Sequence, residues 1–239
     1  MQSIFKRYEK KYLITDAQNA ALQKIIHQHM APDQYGEYLV QNLYYDTESW
    51  DVTRTSIEKP TYKEKMRLRC YGEAVSDSKF YLELKKKYKG VVYKRRIAIP
   101  AQSLSGDSVR SIVSATPSQI SNELDFYLQT NAVTEKIYIA YQRIAFAGIE
   151  DEGLRVTFDT DVHFRLDDLS FSNTAIGQRI LPKGKILMEI KALGGMPLWM
   201  AGALSENEVF PTTFSKVGIC YTDYIYQQIC DERKVKICA

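Results

Sequence analysis

The chain has 239 residues, 45% of them hydrophobic and 26% charged, with a net charge of +3, which suits one large or two small globular domains that bury most of their apolar surface. A charge so near balance excludes general adhesion to nucleic acid or membrane, and there is neither a run of about eighteen apolar residues nor an apolar signal core in Met1–Arg7. Cys70, Cys220, Cys230 and Cys238 lack CxxC or Cys/His spacing, which argues against a zinc site or a disulfide framework and fits a reducing cytoplasm.

Phe5 to Ile14 alternates as a strand. Thr15 then opens a helix to about Met30, with capping-box spacing to Gln18 and an apolar stripe of Ala17, Ala21, Leu22, Ile25 and Ile26. A turn at Pro32 to Gly36 leads to a second strand, Tyr38 to Tyr45, and Asp46-Thr47 caps a short helix around Trp50 to Ile57. Lys63 to Glu73, Lys79 to Lys87 and Val91 to Ile99 follow as an antiparallel meander, with Lys89-Gly90 as a hairpin signal. From Ser105 to Asn131 the pattern is helical, with Thr116 as N-cap and Pro117 at the first helical position. Strands return at Lys136 to Ile149 and Leu154 to Arg165, and Leu166 to Gly184 reads as a loop or short hairpin. Lys185 to Lys191 is a further strand, broken by Gly194-Gly195-Met196-Pro197 before a helix to about Leu204. Thr212 or Thr213 caps a final helix.

The charge pattern within these strands is the informative feature. Lys185, Leu187, Glu189 and Lys191 share one face while Ile186, Met188 and Ile190 share the other. Lys65, Arg67 and Arg69 alternate with Met66, Leu68 and Cys70, and Glu83, Lys85 and Lys87 with Leu82, Leu84 and Lys86. A solvated sheet face explains any one strand. It explains less well the excess of cations over carboxylates across several of them, and gathered cations point to an anion between them. Apolar faces turned outward would receive the helices, leaving Lys11, Arg67, Arg69, Lys85, Lys94, Arg96, Arg143, Arg155 and Lys191 as the lining of a cationic lumen. About eight strands suffice to close such a barrel. Glu9, Glu83 and Glu189 sit among the cations, as ion-pair partners or as ligands of Mg2+ or Mn2+. No P-loop or dinucleotide turn is present, and His163 between Val162 and Phe164 reads as a packed or partly exposed residue. With no long linker or repeat, one α+β domain spanning 1–239 is the simplest account.

Tyr8-Glu9-Lys10-Lys11-Tyr12, Leu43-Tyr44-Tyr45-Asp46-Thr47, Met66 to Gly72, Leu82-Glu83-Leu84-Lys85, Ile139-Ala140-Tyr141-Gln142-Arg143, Leu154 to Thr160, Leu187 to Lys191 and Phe214-Ser215-Lys216 resemble, in order, the VTC domain. This is the catalytic domain of the vacuolar transporter chaperone polyphosphate polymerases, within the triphosphate tunnel enzymes. The resemblance implies an antiparallel eight-stranded tunnel with helices outside, in which ATP's terminal phosphate passes to a polyphosphate chain with Mn2+ or Mg2+ required. It also implies phosphate-binding roles for Lys11, Arg67, Arg69, Lys85, Lys94, Arg143, Arg155, Lys191 and Lys216, with Tyr141 and Arg96 beside them and Glu189 as metal ligand.

Two features depart from the family pattern. The basic residue that the family places before the Arg67 strand has only Arg54 or Lys59 as counterparts, and neither the phosphate-sensing domain nor the membrane helices of the eukaryotic proteins accompany the chain. The expected partners are ATP and polyphosphate, not nucleic acid. The competing readings are a triphosphatase, with water as acceptor, and a non-catalytic polyanion-binding module.

Overall fold

Alternation and caps build the first elements largely as expected. In this computed structural model, which describes residues 7–89, 91–104, 108–172 and 177–231, β1 (Arg7–Thr15) runs into α1 (Asp16–His29). Thr15 accepts from the Gln18 backbone N–H, and the Gln18 side chain accepts from Thr15 N at 3.0 Å, so the capping box is complete. The readings that rest on Met1–Lys6, Gly90, Ser105 and Cys238 lie outside the described residues.

The turn expected at Pro32 to Gly36 is absorbed into β2 (Met30–Asp46). Its chemistry is present, since Tyr35 N donates to Asp33 Oδ1 and Gly36 has φ of 61°, but the backbone bends there and continues as strand. Asp46 and Thr47 do cap α2 (Asp51–Ile57). The Asp46 carboxylate accepts from Val52 N and Thr53 N, and Thr47 Oγ1 accepts from Asp51 N.

The meander follows as β3 (Tyr62–Tyr71), β4 (Lys79–Tyr88) and β5 (Val91–Pro100). Two helices come next, α3 (Val109–Ser114) and α4 (Gln119–Asn131). The N-cap of α4 is Ser118, whose hydroxyl accepts from Ser121 N, and not Thr116, because Thr116 Oγ1 is turned back to the Ile112 carbonyl. The remaining elements are β6 (Thr134–Gly148), β7 (Arg155–Arg165), β8 (Gln178–Arg179), β9 (Lys185–Leu193), α5 (Leu198–Glu206), β10 (Pro211–Thr212) and α6 (Lys216–Cys220). Thr212 pairs with Lys11 instead of capping the last helix; Ser215 Oγ takes that role by accepting from Gly218 N.

The molecule is α+β, with eight long and two short strands in one large antiparallel sheet. The expected closure into a barrel is not shown: β10 and β5 stand at the two ends of the strand order among the described residues. The chain folds into two compact units. The first comprises residues up to Val40, Ala140–His163 and Leu181–Phe214; the second comprises Gln41–Ile139, Phe164–Ile180 and Ser215 onward.

In the first unit β9 pairs antiparallel with both β1 and β7. Tyr12, Ile14, Val156, Phe158, Ile186, Met188 and Ile190 face one way and bury against Leu22 and Ile26 of α1 and Met200, Ala203 and Leu204 of α5. Each such side chain contributes about 1.5–3 kcal/mol. That face belongs to the helices, so alternation leaves the other to the charges. In the second unit β3, β4 and β5 pair in sequence, with Met66, Leu68, Leu82 and Leu84 buried.

Candidate functional site

In the first unit, register aligns two rows on the face opposite the α1/α5 core. Glu9, Lys191 and Arg155 stand in one, and Lys11, Glu189 and Thr157 in the next. The Glu189 side chain is 13% exposed, its Oε1 paired with Lys191 and its Oε2 3.7 Å from Lys11 Nζ. Burial pushes its carboxyl up, but Lys191, Lys11 and Arg143 outweigh burial and hold it well below the usual carboxylate range. Lys11 also donates to the Phe214 carbonyl at 3.0 Å and lies 3.7 Å from Glu9.

Arg143 of β6 makes a two-pronged contact with the buried Asp159, Nε to Oδ1 at 2.6 Å and Nη2 to Oδ2 at 2.8 Å. Its guanidinium stands 5.1 Å from the ring centroid of buried Tyr141. Arg155, the most exposed of the group, pairs with Asp33 at 3.4 Å. Lys11, Arg143, Arg155, Lys191, Tyr141 and Glu189 are thus all on this unit. Asp159 is the residue that sequence reasoning passed over, although its place in the Arg155-Thr157-Asp159 alternation was visible.

The second unit gathers its own set around Glu83, which is 1% exposed. Register places Arg67, Glu83 and Arg96 in one row. Arg67 donates from Nε to Glu83 Oε2 at 2.8 Å and holds it from Nη2 at 2.8 Å; Lys94 pairs with Oε1, and Arg96 Nε lies 3.5 Å from it. Burial raises the Glu83 pKa, but Arg67, Arg69 and Lys94 overcome that and bring it to about 2.

Lys94 moves the other way. Desolvation, together with Arg67 and Arg96, lowers its pKa despite the pairing with Glu83.

Arg69 is buried and fixed: its Nε donates to Asn42 Oδ1 at 2.8 Å and its Nη1 to Tyr71 OH at 3.2 Å, while Asn42 Nδ2 donates to the Ile139 carbonyl at 3.1 Å. Tyr44 OH accepts from Arg67 Nη1, and the Arg96 guanidinium stacks 3.4 Å from the Tyr81 ring centroid. Asn42 and Tyr44 carry no charge, so no charge pattern could have revealed them. Lys85 is exposed between Lys65 and Lys94, and Lys216 opens α6 next to Ser215, which accepts from Lys65 Nζ at 3.4 Å. The proposed counterparts of the missing basic residue do not join either set: Arg54 pairs with Asp51 at 3.6 Å on α2, and Lys59 is exposed.

Among the described residues no group of three or more His, Cys, Asp and Glu could cage a metal ion. A cation that keeps several waters and takes its other oxygens from phosphates asks less: one or two carboxylates. Glu189 is an ionised carboxylate, and in its row Thr157 Oγ1 is buried without a hydrogen-bond partner. This donor set fits a phosphate-borne Mg2+ or Mn2+ and does not fit a protein-caged one.

Among curated proteins, none matches the chain. Among solved structures, a Vibrio parahaemolyticus protein provisionally assigned as an adenylate cyclase is similar at 12% identity, with TM-score 0.50 over 92% of this chain and 100% of that one. The PH1819 protein of Pyrococcus horikoshii is similar at 14% identity and TM-score 0.40, covering 84% and 86% of the two chains. A chain of the Schizosaccharomyces pombe Mediator head module follows at 8% identity and TM-score 0.46, covering 91% and 95%. At such identities the first likeness concerns the fold alone. The VTC domain family model matches residues 6–223, nearly the whole length and both sets of charges, and the chain belongs to the VTC domain family.

Proposed function

We propose that this protein is a polyphosphate polymerase that transfers the ATP γ-phosphate to a growing polyphosphate chain, in the cytoplasm and with Mn2+ or Mg2+. The observation that carries the reading is the contrast of charge at two buried carboxylates. Glu189 is held ionised beside an orphan hydroxyl, and Glu83 is outnumbered by Arg67, Lys94 and Arg96. Family membership supports reading each of these faces as a phosphate-binding surface.

In this reading Arg67, Arg69, Lys85, Lys94 and Arg96 bind phosphate oxygens, with Arg69 aimed by Asn42 and Arg67 by Tyr44 and Glu83. Lys11, Arg143, Arg155 and Lys191 neutralise charge near Glu189, Tyr141 supports Arg143, and Lys216 adds a cation at the α6 start. Glu189 and Thr157 would hold the metal ion, which when bound draws charge from the phosphoryl oxygens. No side-chain nucleophile is needed, because the acceptor phosphate attacks and the transferred group passes through a loose transition state.

The test is incubation of the purified protein with ATP and Mn2+, followed by separation of products by length. Chains longer than three phosphates support the polymerase. Orthophosphate alone would assign the same residues to a triphosphatase, and tight, salt-dependent polyanion binding with no turnover under either metal would leave a binding module.

A further inference from the structure

The apolar side of the second unit's sheet is only partly covered. Among the described residues, Leu43 and Tyr45 of β2, Leu68 of β3 and Phe80 of β4 floor a cavity of about 550 Å3, and Leu104 and Val109 wall it. That volume falls within the range of small-molecule pockets, about 300–1,000 Å3.

Alternation separates this cavity from the charged face. Leu43 and Tyr45 alternate with Asn42 and Tyr44, and Leu68 stands between Arg67 and Arg69. The floor therefore points away from those two arginines and from the Asn42 and Tyr44 side chains that hold them.

The rim is tied down by contacts of its own. Gln102 Nε2 donates to the Ser76 carbonyl at 2.7 Å, and Arg165 Nη2 donates to the Ser170 carbonyl at 2.8 Å. Phe171 meets Phe80 edge to face, with 4.9 Å between ring centroids. A flat ring entering beside Tyr45, Phe80 and Phe171 would find the edges and faces that aromatic groups pack against.

The polar groups are few and of one kind. Apart from serines on the rim, the described lining offers the Tyr45 hydroxyl and Glu135, its one charged residue. Tyr45 is 4% exposed and its hydroxyl makes no well-formed hydrogen bond. Burial and the neighbouring Glu135 carboxylate push its pKa well above the usual value. Glu135 itself is exposed. Two oxygens side by side, one of them anionic, call for a donor, and a cationic donor gains more there than a neutral one. An anionic ligand would be opposed by Glu135.

We propose that this cavity is a second binding site, for a small molecule that joins a flat apolar ring to an ammonium group. The ring lies over Leu68 and Phe80, and the ammonium sits at Glu135 and Tyr45. The site is separate from the proposed phosphate-binding faces, and neither reading needs the other.

Isothermal titration calorimetry tests it with tryptamine and with indole-3-propionate, which has the same ring and spacer but ends in a carboxylate. Wild type binds tryptamine about tenfold more tightly. Glu135→Gln, at an exposed position, lowers tryptamine affinity about fivefold, the scale of an exposed charge pair, and leaves indole-3-propionate binding no weaker. Ala74→Phe, which adds a ring where Ala74 lines the cavity, abolishes tryptamine binding; if it folds poorly, Glu135→Gln carries the test. Tripolyphosphate affinity stays unchanged in both variants. Absence of tryptamine binding, equal affinity for the two probes, or tryptamine binding untouched by Glu135→Gln overturns the site and leaves the proposed function standing. Discrimination between the probes through Glu135, in a protein that makes no polyphosphate from ATP, keeps the site and removes the polymerase.

Discussion

The two charged sets differ in how their cations are matched. Around Glu189 each cation has a named carboxylate: Lys11 and Lys191 share Glu189, Lys11 also reaches Glu9, Arg143 holds Asp159 and Arg155 holds Asp33. Around Glu83 one carboxylate is shared by three cations, Arg67, Lys94 and Arg96. A matched set resists large shifts in charge and suits the point where a metal and a reacting phosphoryl group must be positioned. A surplus attracts anions and suits holding them.

Breaking the matched set is expected to have the largest effect. Glu189→Gln should lower Mn2+-dependent ATP consumption by about 1,000-fold, since metal positioning and charge neutralisation fail together. Tripolyphosphate should meanwhile bind as well or better without metal, because a negative charge has left the site. Near-normal turnover in a folded Gln variant would return Glu189 to the role of a simple ion-pair partner.

At the other carboxylate the effect should fall on stability. Glu83→Gln strips the counter-charge from three cations around a buried position and should cost about 3 kcal/mol in denaturant unfolding, with tripolyphosphate affinity of the folded protein retained. An unchanged unfolding midpoint would remove Glu83 as the organiser of its row.

The same carboxylate gives an acid limb. Its folded pKa of about 2 lies below the ordinary 4.5, so the stability it contributes is fully present above the ordinary value and is lost as pH falls toward the folded one. Stability should therefore decline between about pH 5 and pH 2. The Gln variant, already without that contribution, should show a shallower decline, measured by urea unfolding across that range.

Smaller effects sharpen the contrast further. Asn42→Ala frees the Arg69 Nε and should weaken tripolyphosphate binding about tenfold, the loss of about 1.4 kcal/mol from a charge-assisted contact no longer aimed. An equal loss in thermal stability with no loss of affinity would make Asn42 merely structural. Asp33→Asn breaks an ion pair whose Arg155 partner is half exposed and should change stability by less than about 1 kcal/mol; a larger drop in urea unfolding would mean the matched set is more cooperative than its exposed edge suggests.

Charge alternation was the legible part of both sets, because a cation at every second position is visible without knowing what faces it. Nearly every long strand followed from the same signal, and the Thr15/Gln18 capping box was readable because both partners lie within one helical turn. Caps with several adjacent hydroxyls were not. Thr116 competes with Ser118, and Thr212 and Thr213 with Ser215, and which one caps depends on where the preceding chain is held, such as Thr212 in its ladder with β1. Pro32 to Gly36 carried true turn chemistry inside a strand. Asn42 was invisible because its importance lies in two partners 27 and 97 residues away along the chain.

The position of β5 has a further consequence. It ends the strand order among the described residues, and an edge strand is the usual place for edge-to-edge pairing with another chain. Lys94, Arg95 and Arg96 stand consecutively in the middle of that edge, and Pro100, without an N–H to offer, stands at its end. A second copy attempting to extend the sheet would bring its own basic triplet against this one. The cations of β5 therefore act as gatekeepers of solubility, and replacing Lys94 and Arg96 with apolar residues should produce self-association visible by light scattering before any ligand is added.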